Sequence, residues 1–137
     1  MTEEQNMDVT VDWTQGSTAV RWSSPAGNVE KGYRLPPQAV LAWRQDDETL
    51  VLVVEALDPA PFSPSNNAVV YWADGSERLR LHPPRDLLRN PEDVYGFYDA
   101  IPQQGRPLLI MVTRTAGDFQ GRINLESGEI VDTNTWR

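Results

Sequence analysis

The chain has 137 residues, a formal net charge of −8 and no cysteine. The missing thiols exclude disulfides, thiolate metal sites and cysteine nucleophiles, and the acidic balance argues against general nucleic-acid or anionic-membrane binding, both of which need a basic surface. At 39% hydrophobic and 23% charged, the composition is that of a globular chain able to bury one core.

Residues 1–7 are polar and acidic and read as a flexible tail ahead of a single β-rich domain over residues 8–137. They lack the basic start and apolar stretch of a secretory signal. No apolar run approaches the roughly 18 residues of a membrane span, so the expected setting is cytoplasmic, away from membranes.

Period-two alternation broken by turn residues then predicts strand after strand. Val9, Val11 and Trp13 alternate with Asp8, Thr10 and Asp12, and after Gln15-Gly16-Ser17 residues 19–22 return as a hairpin. Residues 23–37 contain Pro25, Gly27, Gly32, Pro36 and Pro37. They read as a loop, because proline removes a ladder donor and glycine loosens the backbone. Residues 38–44 and 49–56 pair around Asp46-Asp47-Glu48, and residues 50–54, apolar on both faces, predict a central strand covered on both sides. Residues 58–67 hold three prolines and form another loop.

Residues 68–73 and 77–81 make the clearest hairpin. Asp74-Gly75 is expected to supply the positive φ angles of a type I′ turn, with Leu79 and Leu81 on one face and Arg78 and Arg80 on the other. Residues 86–89 suggest a helical turn, and Asn90-Pro91 a helix cap. The aromatic-rich residues 94–101 read as a strand pairing with residues 107–114 around Gln103-Gln104-Gly105, a short helix being the alternative. Phe119, Gly121, Ile123 and Leu125 alternate with polar residues, and residues 130–136 return after the turn at 126–129.

Five serial hairpins predict an all-β fold, with at most one short helical turn: an antiparallel meander forming a barrel or a sandwich. A faint repeat supports this, since Ala39-Val40-Leu41-Ala42-Trp43 recurs as Ala68-Val69-Val70-Tyr71-Trp72, with a weaker echo at residues 19–22. The last hairpin, with Leu-Glu-Ser-Gly-Glu at 125–129, resembles the strand–turn–strand end of β-propeller blades. That resemblance spans a few residues and implies hairpin geometry, without an activity.

No arrangement of residues carries a catalytic signature. His82 is the sole histidine, and no Gly-x-Ser-x-Gly elbow accompanies it. Zinc needs three or four Cys or His ligands. Asp46-Asp47-Glu48 reads as a solvated turn, and Asp132-Thr133-Asn134 lacks the closing Glu of a calcium loop. No metal or cofactor is therefore expected. Glu55 is the one acid following an apolar run and, in the plainer reading, sits on an open face or marks an edge strand. Residues 78–89 form the one locally basic stretch, able to grip an anion or, more simply, to pair with neighbouring acids. Trp13, Trp43 and Trp72 read as core, whereas Trp22 and Trp136, at strand ends, are candidates for exposed anchors.

These features favour a non-enzymatic, protein-binding module, inhibitor- or immunity-like in character, whose partner is another protein and plausibly a basic one. The chain itself would be a monomer or a homodimer. Candidate contact residues are Trp22, Arg78, Arg80, Arg85 and Trp136. The alternatives are a small-ligand or carbohydrate-binding barrel or sandwich using exposed Trp, and a small carboxylate-dependent enzyme, which would need two acids converging in a cleft.

Overall fold

The computed structural model describes residues 9–57, 66–84, 94–114 and 116–136. The fold is all-β. Its strands are β1 (Thr10–Asp12), β2 (Ala19–Ser24), β3 (Gly27–Gly32), β4 (Ala39–Gln45), β5 (Glu48–Val54), β6 (Ala68–Trp72), β7 (Glu77–Arg80), β8 (Val94–Gln103), β9 (Arg106–Thr113), β10 (Asp118–Ile123) and β11 (Ile130–Thr135). They form three antiparallel sheets in simple sequential order: β1-β2-β3, β4-β5-β6-β7 and β8-β9-β10-β11. The expected hairpins are all present, and residues 94–101 are strand, not helix. The tail, the loop at residues 58–65 and the helical turn expected within residues 85–93 lie outside the described residues.

Side-chain alternation turns these sheets into layers. On β5 and β6, Leu50, Leu52, Val54, Ala68 and Val70 point one way and join Phe97, Leu109, Met111 and Ile130 of the third sheet in one core. Val51, Val53, Val69 and Tyr71 point the other way and pack on Val20 and Trp22 of the first sheet. The middle sheet is therefore covered on both faces, as the continuous apolar run of β5 requires. Each fully buried aliphatic side chain contributes on the order of 2 kcal/mol. The second and third sheets pack face to face in a sandwich-like arrangement, and no barrel closure is found among the described residues. Among the described residues, the one ladder-type link between them is the isolated parallel bridge His82–Glu129.

The internal repeat has a structural meaning. Both β4 and β6 flank β5 in matching register. Ala39 and Ala68 oppose Val54, and Trp43 and Trp72 oppose Leu50. Two strands facing the same partner meet the same steric demands and carry nearly the same residues.

Three expectations are corrected. Residues 27–32 are strand β3, because Ser24 pairs with Gly27 and leaves Pro25-Ala26 as a two-residue turn. Asp74-Gly75 is not a type I′ turn, since Gly75 alone has positive φ, at 94°. The Gly75 N–H donates to the Trp72 carbonyl and the Trp72 N–H to the Ser76 carbonyl, the pattern of a three-residue loop with a glycine bulge. Lastly, Arg78 and Arg80 do not share a face. Val70 pairs with Leu79, whereas Tyr71 pairs with Glu77. Arg78 is thus the extra residue of a bulge and is turned to the side of Leu79.

Because no ladder joins the sandwich sheets, polar side chains do. Asn67, only 3% exposed, donates through Nδ2 to the carbonyls of Glu55 (2.8 Å) and Phe97 (2.7 Å), and its Oδ1 accepts from the Phe97 N–H (2.9 Å). Gln38 adds a bond from Nε2 to the Tyr98 carbonyl at 3.1 Å. Asn67→Ala strands two buried backbone groups of Phe97 and a partly buried carbonyl of Glu55 and should cost about 3 kcal/mol. Urea unfolding should show a lower midpoint at unchanged slope. Asn28→Ala on the exposed strand β3 should stay within about 0.5 kcal/mol of the parent.

Candidate functional site

Three turns come together on one side of the sandwich: the β4–β5, β8–β9 and β10–β11 connections. The first two are tight. Asp46 and Asp47 have φ of 53° and 65°, and Gln104 and Gly105 have 56° and 77°, as type I′ turns require. In the third, the Asn124 side chain accepts from the N–H groups of Glu126 (2.9 Å) and Ser127 (3.3 Å), an Asx-type arrangement that shapes the loop locally.

Between these turns opens a solvent-facing cleft of about 760 Å³. Pro107, Ile123 and Leu125 supply buried apolar lining, and Asp46, Arg106, Arg122, Glu126 and Asp132 supply its charges. Arg122 reaches across β9 to the Gln103 carbonyl at 3.3 Å and to the Gln103 side-chain oxygen, which fixes one wall. Asp132 takes φ of 55° where the pairing of β10 with β11 slips between Gln120 and Arg122. This bulge re-aims the start of β11 toward the cleft.

The residues singled out from sequence do not gather here. Trp22 is 2% exposed, and its indole N–H donates to the Ala73 carbonyl at 2.8 Å. It is core and not an anchor, because β3 covers it from the side where a loop was expected. Trp72, expected in the core, is 37% exposed, with the Arg78 guanidinium 5.2 Å from its ring centre. Trp43 is buried as expected, and Trp13 is partly buried. Trp136 is half-buried, its backbone N–H held by the Asp118 carbonyl at 2.8 Å. Arg85 lies outside the described residues.

Of the candidate arginines, Arg78 and Arg80 are described, and both are committed to internal contacts. Arg78 donates to Glu48 at 2.8 Å and to the Leu125 carbonyl at 2.9 Å, tying β7 to the β10–β11 loop. Arg80 makes a two-pronged contact with Glu55, at 2.9 and 3.3 Å, and donates to the Asn66 carbonyl at 2.7 Å. The hydrogen bond to Glu55 raises the Arg80 pKa above its ordinary value. Neighbouring acids thus take up both cations, and Glu55 proves to be an ion-pair partner. His82 is exposed beside Glu129. Among the described residues no group of three or more His, Asp or Glu could hold a metal ion, and no helix is long and apolar enough to cross a membrane.

A second polar cluster lies beneath the first sheet. The Tyr33 hydroxyl is enclosed and makes no hydrogen bond of good geometry among the described residues. Burial, the Tyr71 phenol beside it and the charge of Glu55 push its pKa well above the tyrosine range. Burial also raises Tyr71, whose ring carries the Lys31 ammonium at 4.4 Å. No sequence motif marks the cleft: Asp46, Gln104 and Glu126 come together only through the packing of two sheets. No protein-family model, curated protein or solved structure matches the chain.

Since the fold keeps both phenols protonated, it binds more protons than the unfolded chain once pH passes about 10, and stability falls as pH rises from there. Tyr33→Phe should leave stability at pH 7 within about 0.5 kcal/mol or raise it, because the hydroxyl makes no bond to lose. It should also flatten part of the alkaline decline. Thermal melts of both proteins across the alkaline range measure this directly.

Proposed function

We propose that this chain is a non-enzymatic binding module that receives a basic segment of another protein in the cleft between the turns of its sandwich. The observation that carries this reading is the shape of the cleft. It is broad and open, with an apolar floor and charged turn residues around it. A small molecule is normally engulfed over most of its surface, whereas an open trough suits a length of polypeptide. The surrounding turns contribute Asp46, Asp47, Glu126 and Asp132, all exposed. Against these four acids stand two arginines, Arg106 and Arg122, so negative charge is in excess around the cleft, on a protein of net charge −8. Such a field draws a cationic partner and speeds its encounter.

A carbohydrate-binding alternative rests on Trp72, the exposed indole. Two observations weaken it: Arg78 already covers that ring, and among the described residues no aromatic side chain lines the cleft.

The test is capture from the native lysate by the immobilised protein at low salt, with elution at high salt. The comparator is the triple variant Asp46→Asn, Glu126→Gln, Asp132→Asn. The parent should retain a stoichiometric partner that salt releases. The variant should bind it about tenfold more weakly, since exposed charge pairs contribute roughly 0.5 kcal/mol each. A partner held equally by both proteins, or insensitive to salt, would place the contact elsewhere.

A further inference from the structure

The first sheet is attached differently from the other two. Among the described residues, no backbone hydrogen bond joins β1-β2-β3 to either neighbouring sheet. Its hold consists of side-chain packing of Val20, Trp22 and their neighbours on Val51, Val53, Val69 and Tyr71, the Trp22–Ala73 hydrogen bond and the Lys31–Tyr71 contact. The connection is short. The Tyr33 N–H still donates to Thr18 of the first sheet, and the Gln38 N–H already donates to Val54 of the second. The crossing is left to Arg34-Leu35-Pro36-Pro37. Two consecutive prolines favour an extended course of about 3.1 Å per residue, which opposes folding the sheet back onto its own chain. Leu35, in that crossing, is 42% exposed.

We infer that the apolar rear face of the middle sheet is a docking surface for the first sheet of a second copy of this chain, giving a domain-swapped dimer with residues 34–37 as its hinge. Every contact between the two sheets is regained in the swapped form, because identical residues meet in trans. Only the hinge changes conformation, which is why such exchange is a low-cost route to dimers. The straightened hinges of the two copies lie side by side about the twofold axis, and there the Leu35 side chains, exposed in the monomer, can cover each other. The charge of −8 on each chain opposes association, so added salt should favour the dimer.

Refolding from urea at increasing protein concentration, followed by size-exclusion chromatography with light scattering, tests this. The expected product is a species of twice 15.5 kDa that grows with concentration and salt. It should persist on dilution, since return requires the first sheet to detach. Two variants identify the exchange. A flexible insert of about six Gly and Ser residues between Arg34 and Leu35 lets the sheet reach its own chain easily and should cut the dimer fraction about tenfold. Pro36→Ala combined with Pro37→Ala should reduce it in the same direction, and circular dichroism confirms that both variants are folded. Monomer at every concentration would overturn the inference. So would a dimer that both hinge variants leave undiminished, which would be side-by-side association.

Discussion

The side-chain amide of Asn67 holds together two sheets that share almost no backbone ladder. A buried sandwich edge must satisfy its outward-facing N–H and C=O groups or lose stability. At Phe97 both groups are met by one asparagine, which offers a donor and an acceptor in the geometry of a peptide unit. The second Nδ2 hydrogen serves Glu55, whose own N–H donates back to the Asn67 carbonyl at 2.6 Å. Aspartate would offer no donor to the two carbonyls, and an aliphatic residue would offer nothing. Gln38 extends the device by one residue, to Tyr98. The opposite edge uses the same principle with different groups: Arg78 to the Leu125 carbonyl, and the His82 N–H to Gly128. Both flanks of the sandwich are laced by individual polar bonds, and the cleft opens between the turns.

This lacing bears on the basic residues, of which eleven are arginine and one, Lys31, is lysine. Arg78 simultaneously meets a carboxylate, a carbonyl and an indole face, and Arg80 meets both oxygens of Glu55 and a carbonyl. A lysine ammonium, a compact charge on a flexible stem, cannot reproduce that fork. Arg78 and Arg80 are therefore structural crosslinks, each neutralised by a neighbouring acid, and neither is a free grip for a ligand.

Much of the strand plan was legible, because alternation and turn chemistry act locally. The central position of β5 followed from its two apolar faces, and the echo of Ala39-Val40-Leu41-Ala42-Trp43 in residues 68–72 marked two strands sharing one partner. What escaped depends on distant neighbours. Strand β3 offers a single large apolar residue, Val29, and gains its order from pairing with β2. The extra residue at Arg78 reverses a face without any local sign, since its neighbours still alternate. Trp43 and Trp72 oppose the same Leu50, yet one is core and the other 37% exposed. The difference lies in how far the third sheet extends over each flank, which no periodicity records. The burial of Trp22 and the pairing of Arg78 and Arg80 were not legible, because exposure of a tryptophan or freedom of an arginine is set by what lies across the fold.

The same bonds divide the molecule into parts of unequal attachment. Removing Asn67 or Arg78 would leave buried polar groups without partners, so the sandwich resists separation by the cost of unmet hydrogen bonds as well as by lost apolar contact. The first sheet carries one such bond, from Trp22, and includes a phenol, Tyr33, that already lacks one. Its adhesion is therefore mostly apolar and non-directional, the kind of contact that opens as a unit ahead of global unfolding. A partner drawn to the acidic turns would meet the rigid, laced part of the fold. Exchange between copies would use the part held mostly by packing. The cleft lies between turns of the sandwich and the exchange surface on the rear face of the middle sheet, so occupation of one leaves the other intact.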